Sequence, residues 1–139
     1  YTFFAPDELV LVTRTGGRYA HTESLTCEQL LSTPLVLREN GSGTLEVISA
    51  ALAAKGIRLS QLDVVMRLGT TEGIKGFVRN SDVLAIVSVT SVVDELRSGA
   101  LRIIDIEGLT LSRDFNFVHA EAEPARLVRQ FVDFARANR

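Results

Sequence analysis

The stretch VLAIVS (83–88) holds five apolar residues in a row before its first polar side chain. It is too short for a buried helix and lacks the alternation of a strand with one wet face. It reads as a strand covered on both faces, the kind found in a parallel sheet clad by helices. Other short runs rich in β-branched and apolar residues recur along the chain: ELVLVT (8–13), LVLR (35–38), DVVMRL (63–68), LRIIDI (101–106) and DFNFVH (114–119). Each is expected to be a strand.

Helical signals lie between them. Thr26 is placed as an N-cap with Gln29 as its capping-box partner, and Leu25 and Leu30 take the two staple positions. Pro34 closes that short helix. Over 45–55, Leu45, Ile48, Ala51 and Leu52 share one face, and Gly56 is a left-handed stop. GTTEGIKGFV opens a third helix, with Thr70 or Thr71 as cap and Ile74, Phe77 and Val78 inward; Gly73 and Gly76 each cost it roughly 1 kcal/mol against Ala. Residues 91–98 read as a short helix with Val92, Val93 and Leu96 inward. A last helix starts near Pro124, a favourable first position, with Leu127, Val128, Phe131, Val132 and Ala135 as its stripe. Only EGLTLSR separates the last two strands, which leaves room for an antiparallel element. The order β-α-β-α-β-α-β-α-β-β-α predicts an α/β domain with a mainly parallel sheet and helices on both faces.

The length of 139 residues suits one domain with a substantial core. A net charge of −2 and the lack of a basic stripe argue against direct nucleic-acid contact. No apolar run is long enough to cross a bilayer, and no signal peptide is visible. A single cysteine, Cys27, excludes an internal disulfide framework and fits a reducing compartment. The start, YTFFAPDELVLV, has no initiator Met and an apolar run at its edge. It reads as the start of a fragment.

In open sheets of this kind ligands bind outside the carboxyl ends of the strands. That rule points to two loops, 39–44 and 69–71, which both open helices and both combine glycine with hydroxyls. A helix N-terminus carries unpaired N–H groups and partial positive charge, enough to hold a carboxylate, sulfate or phosphate. Ser42 and Thr44 add hydroxyls there, and glycine allows close approach. The same residues are also ordinary caps and turn residues, so RENGSGT (38–44) has two readings. Glu39, Glu46 and Glu72 satisfy the helix dipoles themselves and compete with an anion.

Catalytic signals are thin. No P-loop, dinucleotide or metal-ligand spacing is present. His21 and His119 are expected at the surface or at an edge, Cys27 as a small buried hydrophobe, and Asp94 and Glu95 as solvated charges on an exposed helix face. Asp105 and Glu107 end a strand without an acid partner. No nucleophile, base and oxyanion set emerges, so no enzyme activity, cofactor or metal is expected.

The ordered series from DELVLV through LTCEQLLSTPLVLRENGSGT, GTTEGIKGFV, LAIVS and VVDELRSGALRIIDIEGLTLSRDFNFV to ARLVRQFVDFAR resembles the effector-binding domain of LysR-type transcriptional regulators. The resemblance covers nearly the whole chain. It implies the type II periplasmic-binding-protein fold, two α/β lobes joined by crossing strands. It also implies a division into 1–14 (first-lobe remnant and first crossing strand), 15–112 (second lobe) and 113–139 (second crossing strand and closing helix of the first lobe). Carried over by position, Ser42, Gly43 and Thr44 look like second-lobe effector contacts, Thr70 and Thr71 like cleft residues, and Ser88 like a further contact.

The resemblance further implies a small polar or anionic effector, a homodimer or tetramer, DNA contact through a missing N-terminal domain, a cytoplasmic setting and no membrane role. A transporter's solute-binding protein with the same fold is the alternative. Two departures stand out. Many family members follow GSGT with arginine, where this chain has Leu45. The family also favours Gly-x-Gly before the fourth strand, where this chain has RNSDV (79–83).

Overall fold

In the computed structural model, which describes residues 1–120 and 122–139, the strand β5 (Leu84–Ser88) is buried along its apolar part. β3 (Leu35–Arg38) runs parallel to it on one side and β1 (Thr2–Arg14) antiparallel on the other. Beyond β3 lies β4 (Val64–Leu68), again parallel. Beyond β1 lies β6 (Leu101–Ile106), antiparallel to β1, and β2 (Ser24–Leu25) runs parallel to β6. The strand order is β2-β6-β1-β5-β3-β4, with β7 (Leu111–Phe117) also paired to β1. β2, β6, β5, β3 and β4 therefore point one way and β1 the other, so the sheet is mainly parallel, as the alternation of elements predicts.

The chain divides into two compact units, Glu8–Leu111 and Tyr1–Asp7 with Ser112–Arg139. In the first of these the central strands β1, β3 and β5 bury both faces, while the edge strand β4 leaves Val65 and Met66 exposed. Leu9, Leu11, Leu35, Leu37, Leu84 and Ile86 meet Leu30 of α1 (Cys27–Leu31) and Leu45, Ile48 and Leu52 of α2 (Gly43–Ala53). The alternate residues Val10, Val12, Val36, Ala85 and Val87 meet Ile74 and Val78 of α3 (Thr71–Arg79), with Leu96 of α4 (Val93–Ser98) packed against them. The period-2 alternation of strand side chains sorts the two sets. In the other unit, Phe117 of β7 meets Phe4 and, on α5 (Arg126–Ala137), Phe131 edge-on, with ring centroids 5.1 and 6.0 Å apart. There the Asp7 carboxylate accepts from Arg113 Nε at 2.8 Å.

Local signals hold where the chemistry is local. Thr26 and Gln29 form the reciprocal capping box, and Gly56 takes φ +74°. Four expectations are corrected. β1 starts at Thr2 rather than 8, because its first part finds a partner in β7. β2 was not expected; two residues are too few for a periodic signal. The 91–98 segment is a 3-10 turn at Val89–Val92 followed by α4. The last strand and helix are displaced: β7 is Leu111–Phe117 rather than 114–119, and α5 begins at Arg126 rather than Pro124. The apolar stripe of α5 leaves Leu127, Val128 and Phe131 exposed, and Phe134 beside it is exposed too.

Candidate functional site

β3, β4 and β5 are parallel neighbours, so their carboxyl ends share one edge of the sheet. A helical start follows each. After β3, Gly41 takes φ +88°, a left-handed conformation that glycine adopts without a Cβ penalty. The chain then turns into α2. Ser42 Oγ accepts from the Leu45 N–H at 3.1 Å, and the first helical bond runs from the Glu46 N–H to the Ser42 carbonyl. The N–H groups of Gly43 and Thr44 precede that bond at the positive end of the helix. Gly43 is exposed, and a Cβ added there would meet nothing within 4 Å.

After β4, Thr70 caps α3, its hydroxyl accepting from the Gly73 N–H at 3.0 Å. A Cβ on Gly73 would come within 2.9 Å of that hydroxyl, so glycine is what lets the cap close. Thr71, the first residue of α3, is half-buried. After β5, the hydroxyls of Ser88 and Thr90 lie 2.9 Å apart, and Ser91 Oγ donates to the Ser88 carbonyl at 2.6 Å.

Two cations stand at this edge. Arg38 donates to both Glu39 carboxylate oxygens, at 2.9 and 3.0 Å, and Arg67 donates to the Arg38 carbonyl at 3.3 Å. The mutual hydrogen bond pushes the Arg38 guanidinium up and holds the Glu39 carboxyl below its ordinary range. Leu45 points into the core with Ile48 and Leu52. Arg38 is neutralised by Glu39, so the positive charge added here by a side chain is that of Arg67 on β4, and Leu45 of α2 adds none.

The structure brings Ser42, Gly43, Thr44, Thr70, Thr71 and Ser88 to the same edge. It leaves the other sequence candidates elsewhere. His21 is exposed in a turn, and His119 lines a cavity of about 180 Å³ in the other unit, with Thr2, Arg129 and Asp133. Cys27 is half-buried rather than buried, its Sγ 3.7 Å from the Glu107 carbonyl, and Glu107 accepts from Ser24 Oγ at 3.0 Å. The RNSDV loop is at the opposite edge, where Asp82 accepts from the Arg14 side chain and the Arg18 N–H. Among the described residues no group of side chains is placed to hold a metal, and no helix is long and apolar enough to cross a membrane.

One expectation is overturned. Asp94 is exposed, but Glu95 is buried, and its Oε1 lies 2.7 Å from Lys75 Nζ. Lys75 also reaches Glu72 Oε1 at 3.0 Å and the Ser91 carbonyl at 2.8 Å. Hydrogen bonding from Lys75 holds the Glu95 carboxyl low, and the same bond raises the Lys75 ammonium. A signal existed: Lys75 sits next to Ile74 and three residues before Val78, on the inward stripe, where a charge needs a buried partner.

The model of the LysR substrate binding domain family matches residues 1–139. A protein of Anaeromyxobacter dehalogenans named as a phosphonates import ATP-binding protein, PhnC, is 35% identical over 99% of this chain and 28% of its own length. The uncharacterized HTH-type transcriptional regulator YeiE of Escherichia coli K12 is 30% identical over 92% of this chain and 43% of its own. The chain thus spans less than half the length of either relative. Among solved structures, the Synechocystis CcmR regulatory domain in complex with 2-PG superposes with a TM-score of 0.81 at 21% identity. That match covers 99% of this chain and 65% of the other.

Proposed function

The chain belongs to the LysR substrate-binding domain family, and on that premise we propose that it senses a small polar or anionic metabolite for a transcriptional regulator. The observation that carries this reading is the shared carboxyl edge of β3, β4 and β5, where three helical starts present Ser42 and Thr44, Thr70 and Thr71, and Ser88. Helix starts attract negative charge, and hydroxyls fix its orientation. Arg67 adds positive charge nearby, while Arg38 is paired with Glu39. The 2-PG complex of the CcmR regulatory domain supports a ligand of small size.

In this reading, residues 15–112 are the second lobe, and 1–14 and 113–139 carry the crossing strands with part of the first. Ligand binding shifts the population of subunit arrangements in a homodimer or tetramer, and a separate domain contacts DNA in the cytoplasm. Family membership favours this over a transporter's solute-binding protein.

Gly43→Ala tests the site. The structure has room for the added methyl, so the fold keeps or slightly gains stability. Once a small carboxylate or phosphate is found by thermal-shift screening, calorimetry is expected to show at least a tenfold weaker Kd for Gly43→Ala, about 1.4 kcal/mol. Unchanged affinity refutes the assignment of α2's start to the ligand.

A further inference from the structure

We propose that Lys75 is a positioning residue of the candidate site, holding the turn of residues 88–91 at a fixed distance from the start of α3. The proposal rests on the ligand reading given above. Thr70 and Thr71 open α3, and Ser88 opens the turn after β5. Lys75, one turn into α3, donates to the Ser91 carbonyl at 2.8 Å. Ser91 Oγ then donates to the Ser88 carbonyl at 2.6 Å, and the Ser88 hydroxyl meets that of Thr90 at 2.9 Å. Lys75 thus ties α3 to the Ser91 backbone, and Ser91 in turn ties itself to the Ser88 backbone that carries the hydroxyl.

The cost of this arrangement shows that stability is not its purpose. Lys75 is 7% exposed and Glu95 9%. Glu95 Oε1 pairs with Lys75, while Oε2 is buried without a hydrogen-bond partner among the described residues. Replacing a buried ion pair by apolar residues of similar volume is commonly neutral or stabilising. An apolar pair would fill the same space between α3 and α4. It would not hold the Ser91 carbonyl, because it removes the Lys75 donor that reaches that oxygen from α3. The charge of Lys75 is kept in place by Glu95 and Glu72, and its third N–H is spent on the turn.

The test uses this chain with the double substitution Lys75→Met and Glu95→Leu, and 2-PG and inorganic phosphate as probes. The variant is expected to melt within a few degrees of the parent. Amide hydrogen exchange in residues 88–92 is expected to rise at least tenfold, with the amides of residues 45–48 unchanged. Affinity for whichever probe binds the parent is expected to fall about tenfold. Unchanged exchange in residues 88–92 overturns the proposal. If the double variant does not fold, Ser91→Ala keeps the ion pair but cuts the tie to Ser88. It should raise exchange at residues 88–90 and weaken probe binding, and no change in exchange there is equally fatal. If the parent, which in this reading carries only part of the first lobe, binds neither probe, the exchange measurement alone decides the role of Lys75.

Discussion

The ammonium of Lys75 lies 2.7 Å from Glu95 Oε1, with both side chains buried between α3 and α4. Removing one partner leaves the other charge buried. Glu72 does not replace Glu95, because its side chain is 78% exposed and its bond to Lys75 is screened by water. Glu95→Ala should therefore destabilise the chain by roughly 3–5 kcal/mol, while the paired apolar replacement should not. Urea unfolding of the two variants separates them.

The same pair sets a pH dependence. Glu95 has its carboxyl lowered below the ordinary value of 4.5 when folded, so its contribution to stability is full above that value and lost as pH falls through the lowered one. Lys75 is raised above 10.5, so its contribution is full below that value and lost as pH rises through the raised one. Stability should stay level in this respect between those limits. Glu95→Gln should flatten the acid limb in unfolding midpoints measured from pH 7 downward.

Leu45 follows the GSGT motif where many family members carry arginine. Because Leu45 is in the core beside Ile48 and Leu52, Leu45→Arg should not add a cation to the site. It should bury an unpaired charge and lose apolar packing, lowering stability by at least about 3 kcal/mol. Thermal denaturation with and without the probe anions checks both halves of this expectation.

The two glycines of α3 should respond differently to alanine. A Cβ on Gly76 meets nothing within 4 Å, so Gly76→Ala should stabilise by about 0.5–1 kcal/mol through helix propensity. On Gly73 it meets the capping hydroxyl of Thr70 at 2.9 Å, so Gly73→Ala should gain nothing as the cap is displaced. Denaturant midpoints of the two variants, compared side by side, test the difference.

Much of the local structure of the candidate site was legible in advance because its parts are local. Ser42 and Thr70 are caps whose partners lie three residues away, and a strand followed by glycine and a hydroxyl marks a helix start wherever it occurs. The wrong reading of Glu95 has the opposite cause. Its neighbour Asp94 is exposed, and only the arrival of α3 against α4 makes one of two adjacent carboxylates a buried partner. Leu45 could be read as a missing cation, but its direction depends on which face of α2 the sheet covers.

The order of strands and helices apart from the two-residue β2, the caps and the mainly parallel sheet were determined by the sequence itself, since period, propensity and capping act over a few residues. The tertiary structure alone decided that β1 runs against β5 and β6, that Lys75 and Glu95 meet, and that three separate helical starts share one edge. Those outcomes depend on contacts between residues far apart in the chain, such as the pairing of Leu9 with Ser88. Such pairings depend on the packing of whole surfaces, which no short stretch of the chain encodes.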